Sequence, residues 1–582
     1  MGIEDPIQDD SVMIKPLRFA IIGSGAGLEA WQARCLEQLR TPGGAQLVLR
    51  MVLASPDSSP SVSSTDPENG SFSWFPRYRR FCLRPDAQRT VPAASVFDHV
   101  PVRVCRITMS GENIVHFHDT DISAIAQYDL DFMVHFGDSG VGGKILEAAR
   151  FGVWAFDYGD REETLAGPPA FWEIFRGNPA TGGTLRRLTG AESAGVVLKQ
   201  GFLKTIHYSY SRNLSTLLFE CALWPAQVCT DILNDNADYL EAPPVRHKAP
   251  GYSLPSNRQM ILFFAKILRN LLAEMRNTFF RHGLWNIGIV HAPIHVFLEP
   301  RVHHHVEYLH SAPADRFLAD PFGIVRDGRL NILCEGFDYH TYRGIISSIE
   351  FDATSGAEKM PVQPQTALDL PAHASYPYLF EHQGEVYCVP ETARMREVSL
   401  YRALEFPKRW VKVAVLLPDV AGVDATLFQY DGLWWLTCTD KNQWAQAKLF
   451  IWYAPDLYGP WQPHAANPVK TDVRSARPAG TPFLYQGRLY RPAQDCSRTY
   501  GGAIIIHEVT HLSTRKFSEK PVAVVNPDPA GPYPDGTHTL SAVGHVTLVD
   551  GKRFAFKGRA FRHALRRELA KIGFFRRRFG DH

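Results

Sequence analysis

The chain has 582 residues, of which 45% are hydrophobic, 12% aromatic and 21% charged, with a formal net charge of +2 at pH 7. A charge this close to balance argues against a dedicated nucleic-acid binder, whose affinity comes from basic excess, and the length exceeds what one core supports, so two or more domains are expected. Nine cysteines stand apart without a Cys-x-x-Cys pair, which reads as buried free thiols in a reducing compartment and not as a disulfide framework.

Residues 1–17 are acidic at the start and hold no apolar run, so they read as a disordered N-terminus without a signal peptide. Pro6 stands where a myristoylation signal needs Ser or Thr. No apolar stretch reaches the length of a membrane span, and a cytoplasmic location is the expectation. Residues 18–235 then open as a βαβ unit. Arg18–Ile22 is a short apolar strand and runs into the glycine cluster Gly23, Gly25, Gly27, a candidate phosphate cradle. A helix pattern follows through Leu28, Trp31 and Leu36, and Leu47–Leu53 is a second strand. Leu130–Phe136 is a buried strand followed by a helix at Ile145–Phe151, and 213–235 is helical. The Pro-rich stretch 236–257 and an amphipathic helix at 257–280 fall in a linker, 236–316.

From 317 to 556 the chain repeats one cadence of apolar strand, glycine turn and second strand. The turn glycines are Gly328, Gly384, Gly432 and Gly487, spaced 56, 48 and 55 residues apart, and a looser fifth copy precedes Gly544. A period near 50 with a strand–turn–strand core predicts an all-β five-bladed propeller. In such a ring the start of each inner strand and the end of the next strand share a face. Counting eight back from each turn glycine gives Asp320, Tyr376, Asp424 and Ala479. Counting seven forward gives Glu335, Glu391, Thr439 and Gln494, with Asp495 beside the last. Asp320, Glu335, Asp424 and Glu391 should therefore crowd one end of the axis, joined by Arg477 and His538. Converging carboxyls of unequal protonation are what glycosyl chemistry needs, one as acid and another as base or nucleophile. The competing reading is that Asp-Pro and Asp-Gly steps are ordinary turn formers. The catalytic candidates are thus Asp320, Asp424, Glu391, Glu335 and Asp495, with Tyr376, Arg477 and His538 as substrate-binding candidates. Adjacent histidines in 301–310 point to opposite strand faces, so no metal site is expected there.

Two resemblances sharpen this reading. The order Asp129–Val134, Phe151–Asp157, Gly167-Pro168-Pro169-Ala170-Phe171-Trp172-Glu173 and Ser193–Leu198 resembles the formyltransferase N-terminal domain, which implies an α/β Rossmann-like formyltransferase domain over 18–235. That family works with an Asn, a His and an Asp; the matching positions here are Ala155, Asp157 and Ser193. Asp157 is the remaining candidate base, and Trp172 a candidate substrate-binding residue. The propeller resembles those of glycoside hydrolase families 43, 32 and 130, where acids in the first, third and fourth blades act. Asp320 and Asp424 match the first two, and the fourth-blade Glu has no match in Ser475–Gly480. The segments Asp320–Glu335, Ser375–Glu391, Asp424–Trp435 and Arg477–Ser497 look like the N-terminal domain of plant glucosamine inositolphosphorylceramide transferases, which implies glycan biosynthesis without naming a reaction.

The expected function is a carbohydrate-active protein of glycan or surface-polysaccharide biosynthesis. Its propeller transfers or cleaves glycosyl groups, acting on a sugar nucleotide or glycan, and its formyltransferase-like domain is degenerate. One alternative is a sugar-nucleotide N-formyltransferase using 10-formyltetrahydrofolate, with the propeller binding glycan. A second is a non-catalytic scaffold. The tail 557–582 is basic, and Phe561, Leu565, Leu569 and Ile572 recur at helical spacing. It reads either as a helix suited to peripheral contact with a membrane surface or as one closing on the propeller.

Overall fold

The computed structural model describes residues 15–23, 27–41, 44–54, 73–92, 97, 99–110, 114–137, 139–159, 167–190, 194–246, 254–299, 304–310, 315–352 and 363–579, with the backbone alone at 246, 352 and 572–579. Two compact units divide it: Met1–Arg176, Gly182–Gln200 and Ser209–Leu262 form the first, and Gly177–Thr181, Gly201–Tyr208 and Phe263–His582 the second.

The first unit is built on a mixed ten-stranded sheet. Leu17–Gly23 lies at its centre and pairs in parallel with Ala45–Ala54 on one side and Phe132–His135 on the other. The parallel run continues outward to Val102–Ser110 and to Val153–Tyr158. Burial of both faces explains why Phe19, Ala20, Ile21 and Ile22 form an unbroken apolar run. Two expected elements differ. The helix read across 213–235 is two helices, Tyr210–Cys221 and Trp224–Leu233, because Pro225 lacks an N–H and starts a new first turn. The helix expected at 145–151 is one 3₁₀ turn, Lys144–Glu147, stopped before Gly152 at φ +71°.

The second unit holds five sheets of four strands or more, the blades of a propeller. The inner pairs of the first four blades are Arg316–Arg326 with Arg329–Asp338, Ser375–His382 with Glu385–Glu391, Gly422–Tyr430 with Leu433–Asp440, and Phe483–Tyr485 with Arg488–Asp495. Their hairpins turn on Asp327-Gly328, Gln383-Gly384, Asp431-Gly432 and Gln486-Gly487, where both residues have positive φ. That geometry matches the twist of the flanking strands and selects glycine at the second position. The fifth blade joins distant parts of the chain. Leu540–Val543 pairs with Val546–Ala555, which pairs on its other side with His282–Val290, and that strand in turn pairs with Glu307–Tyr308. Residues 282–290, inside the span read as a linker, thus close the ring, and closure leaves no open inner edge. The sequence cadence misses this strand because no turn glycine marks it and its partner lies at the far end of the repeat.

Candidate active site at the propeller mouth

The first three inner strands share a defect that aims their side chains. Asp320, Tyr376 and Asp424 have φ of +53°, +41° and +53°. Each falls where the pairing register shifts, between Ala319 and Phe322, Ser375 and Tyr378, and Val423 and Thr426. A bulge with a left-handed residue bends the strand and re-aims that residue's side chain, and left-handed backbone in a non-glycine residue is a strain that clusters at functional sites. Across the first two hairpins Ala319 faces Glu335 and Ser375 faces Glu391. Opposite ends of each hairpin therefore meet on one face, Asp320 with Glu335 in the first and Tyr376 with Glu391 in the second.

What they meet is a buried ionic cluster. The Arg477 guanidinium donates to both oxygens of Asp424, Nε to Oδ2 at 2.6 Å and Nη2 to Oδ1 at 3.1 Å, and lies 3.8 Å from Glu391 Oε2. Gln494 Nε2 donates to Asp424 Oδ2 at 2.7 Å. Asp320 accepts from the Tyr376 amide at 3.2 Å and the Thr539 hydroxyl at 3.1 Å. His538 bridges two acids: Nδ1 is 2.5 Å from Asp550 Oδ2, and Nε2 is 3.5 Å from Asp320 Oδ1. The Asp550 carboxylate also accepts from the amides of His538 and Thr539 at 2.8 and 3.2 Å. The Tyr376 hydroxyl spans the ring, 2.9 Å from Thr426 Oγ1 and accepting from the Gly480 amide at 2.7 Å. Trp285 stacks on His538 at 3.9 Å, and the Tyr500 ring meets His538 edge-on at 5.2 Å.

Five carboxyls, Asp320, Glu335, Glu391, Asp424 and Asp550, thus share a buried site with Arg477 and His538. Negative groups outnumber cations there, and not all five can ionise. Burial, then the Asp424 charge, pushes Glu391 up to about 8 against the pull of Arg477. Burial, followed by the charges of Asp320 and Glu391, holds Glu335 well above the usual carboxylate range. Asp320 is pushed to about 6 by burial, tempered by the nearby imidazole. Asp550 goes the other way: burial opposes ionisation, but His538 and the two amides outweigh it and hold its carboxyl low. Burial likewise disfavours a charged His538, and Asp550 and Asp320 reverse that and raise it.

Asp320, Glu335, Glu391, Asp424, Tyr376, Arg477 and His538 are therefore brought together. The other sequence candidates lie elsewhere. Asp495 accepts from the Ser497 amide at 2.9 Å in a turn, while its neighbour Gln494 reaches Asp424. Trp172 is buried in the first unit against Phe171 and Phe175. Asp157, also there, is 3.2 Å from Arg186 and 43% exposed. Gly23 has open space where a Cβ would stand, Gly27 lies against Thr90, and Gly25 and Ser193 are outside the described residues. A cleft of about 360 Å³ in the first unit, lined by Arg79, Arg84, Arg89 and Glu29, holds none of the candidates. Asp320, His538 and Asp550 each offer a ligand atom, all within 4.8 Å of one another, and are the one such group among the described residues. The imidazole stands between the two acids, with Nδ1 toward Asp550 and Nε2 toward Asp320.

Trp285, Tyr500, Asp550 and Lys552 stand at the mouth and escape the sequence count. In the fifth hairpin Gly544 opens the turn, because Val543 pairs with Val546, whereas the glycine closes the turn in the other four. Counting seven from the residue that closes the turn, His545, reaches Lys552, the fifth-blade counterpart of Glu335. The Lys552 ammonium lies 3.3 Å from Thr499 Oγ1 and 5.1 Å from the Trp285 ring centre, and burial lowers it to about 8.

Fold and site define a five-bladed propeller with a carboxyl cluster at one end of its axis. Residues 304–530 match the family described as glucosamine inositolphosphorylceramide transferase 1, N-terminal. The plant protein glucosamine inositolphosphorylceramide transferase 1 of Oryza sativa subsp. japonica is 37% identical over 212 residues, 35% of this chain and 28% of the relative. That of Arabidopsis thaliana is 35% identical over 217 residues, 36% of this chain and 28% of the relative. The chain therefore spans little more than a quarter of the relatives it matches. Asp320, Glu335, Tyr376, Glu391, Asp424, Arg477 and Gln494 lie inside the matched stretch, while Trp285, His538, Asp550 and Lys552 lie outside it. Among solved structures, a family 117 glycoside hydrolase from Zobellia galactanivorans aligns with 14% identity and a TM-score of 0.30, covering 42% of this chain and 88% of that one. An exo-β-1,3-galactanase from Phanerochaete chrysosporium aligns with 12% identity and a TM-score of 0.31, covering 38% and 54%. Likeness of that order assigns no activity.

Proposed function

We propose that the protein transfers or cleaves glycosyl groups at the propeller mouth in glycan assembly, with Glu391 as general acid and Asp320 as general base. The observation that carries this reading is the crowding of five buried carboxyls around two cations, which forces them into unequal protonation. Glu391 holds a proton near neutral pH and delivers it to the leaving-group oxygen as the bond from that oxygen to the sugar C1 breaks. Asp320, ionised above about pH 6, takes the proton of the attacking hydroxyl as its oxygen bonds to C1. Asp424, fixed by Arg477 and Gln494, supplies the negative charge that keeps Glu391 protonated and faces the positive charge developing on the sugar ring. Tyr500, half-buried beside these groups, offers an aromatic ring, the kind of surface that sugar rings stack on. The names of the plant relatives and of the matched family, whose span holds four of the five carboxyls, favour a glycan-biosynthetic setting over a degradative one.

Turnover on a panel of nucleotide sugars and oligosaccharides tests this. Asp320→Asn and Glu391→Gln should each lower it by about 10²–10⁴-fold, the usual contribution of a positioned acid or base. Unchanged rates in both would overturn the assignment. Folate-dependent formylation of an amino-sugar nucleotide, lost in Asp157→Ala and kept in Asp320→Asn, would move the chemistry to the first unit. Normal complementation by alanine variants at both places would leave a scaffold.

A further inference from the structure

The long helix Asn257–Phe280 carries a bare apolar stripe. Leu268, Leu271, Leu272 and Met275 are 58%, 41%, 59% and 50% exposed. These positions fall on one side of a 3.6-residue helix, and no described residue covers them. Arg269 and Arg276 follow the next row on the solvent side, and no acidic residue interrupts the apolar stripe. A bare strip of this kind in a soluble setting marks a surface that is covered in use.

A second helix meets it. Gly558–Phe579 packs its first turns on the propeller, with Ala560 against Leu284, Trp285, Phe317, Ala319 and Tyr339. Phe561 contacts Phe279 and Phe280 at the end of the long helix, and Phe556 joins the same group at 59% exposure. Beyond those turns Leu565 and Leu569 are exposed beside Arg562 and Arg566, while Glu568 between them is paired with Arg567 and Lys571. Neither helix is long and apolar enough to cross a membrane. An apolar stripe flanked by arginines suits a surface of buried hydrocarbon and outer negative charge, which is an anionic lipid interface. Another protein would have to match both the stripe and the basic rows.

We infer that the two helices form one docking surface for an anionic lipid membrane, lying in its interface and not spanning it. Both are rooted at the propeller mouth. The long helix ends two residues before His282–Val290, the strand that sets Trp285 on His538. The C-terminal helix begins three residues after the strand that carries Lys552. The surface thus borders the carboxyl cluster, and docking itself does not depend on the chemistry proposed there.

Cosedimentation of the full chain with phosphatidylglycerol-containing vesicles and with neutral phosphatidylcholine vesicles tests it. Partition onto the anionic vesicles should exceed that onto neutral ones by at least tenfold at low salt and fall as salt rises. Leu268→Glu with Leu272→Glu should lower it at least tenfold, and Arg269→Glu with Arg276→Glu should abolish the preference for anionic lipid. A polarity-sensitive dye on Leu268→Cys should shift to the blue on vesicles, which reports insertion without a charge change. Absence of binding to anionic vesicles, binding untouched by both double variants, or an unshifted dye would overturn the proposal. So would a lipid-free dimer that Leu268→Glu with Leu272→Glu converts to monomer, since a second copy would then be the occupant.

Discussion

Two buried ionic clusters in the propeller are alike in burial and opposite in behaviour. In the fourth blade Glu519 accepts from Arg491 at 2.8 and 2.7 Å and from Lys470 at 2.6 Å, with His507 at 4.0 Å. One carboxylate faces two cations, so although burial opposes its charge, Arg491 and Lys470 prevail and hold Glu519 far below the usual range. Burial there pushes His507 down to about 4. At the mouth five carboxyls face Arg477 and His538, and Glu391, Glu335 and Asp320 are pushed up. Burial alone thus does not mark a reactive site. The imbalance of charge does, because a saturated cluster holds its protons fixed, while a crowded one keeps a proton ready to move.

Substitutions at the two clusters should separate these roles. The largest effect expected is on activity: Glu391→Gln should lose about 10²–10⁴ in turnover, yet shift stability by only about 1 kcal/mol, since an amide replaces a neutral carboxyl. Equilibrium denaturation beside the activity panel reads both. Glu519→Gln should do the reverse, costing about 3–5 kcal/mol because Arg491 is left charged, buried and without its anion, while turnover of the folded fraction holds. Equal stability losses in the two variants would erase the distinction between the clusters.

Their pH responses should also run in opposite senses. Glu519 is depressed when folded, so its contribution is present above about pH 4.5 and is lost as pH falls below it. Glu391 is raised to about 8, so the folded state keeps a proton that the unfolded chain releases above 4.5. Its contribution therefore falls as pH climbs from 4.5 to 8, and Glu391→Gln should flatten that part of a stability profile. Turnover should be bell-shaped between the Asp320 limb near 6 and the Glu391 limb near 8. A profile flat from pH 5 to 9 would remove both residues from acid–base roles. The smallest effect should come from Asp495→Asn, whose side-chain oxygen still accepts from the Ser497 amide; turnover within about twofold of the parent is expected, since turn residues away from the site contribute little. A large loss would put Asp495 back among the catalytic groups.

The contrast between Gln494 and Asp495 also shows what a repeat can reveal. Counting from the turn glycines reached Glu335, Glu391, Thr439 and Gln494, because strand geometry repeats every two residues from a fixed turn. The same period turns the neighbour, Asp495, away from the axis. Arg477 and His538 were legible only as residues near the right ends of their strands. Their partners were not, because pairing across the ring depends on which blades stand opposite. In the first unit a run such as Phe19–Ile22 shows a strand buried on both faces, and Pro225 is a local signal of a helix boundary that the single helix read over 213–235 passes over, whereas nothing local told that Asp157 is paired with Arg186.

The sequence by itself determined the period, the hairpins at Gly328, Gly384, Gly432 and Gly487, and the face on which Asp320, Glu335, Glu391 and Asp424 emerge, since each follows from local turn chemistry and strand alternation. Tertiary structure alone decided that His282–Val290 closes the ring and that Asp550 and Lys552 complete the mouth, because closure joins strands from the two ends of the propeller. It also decided which acid keeps its proton. That depends on how many charges meet in one buried space, a sum over five blades that no single segment contains.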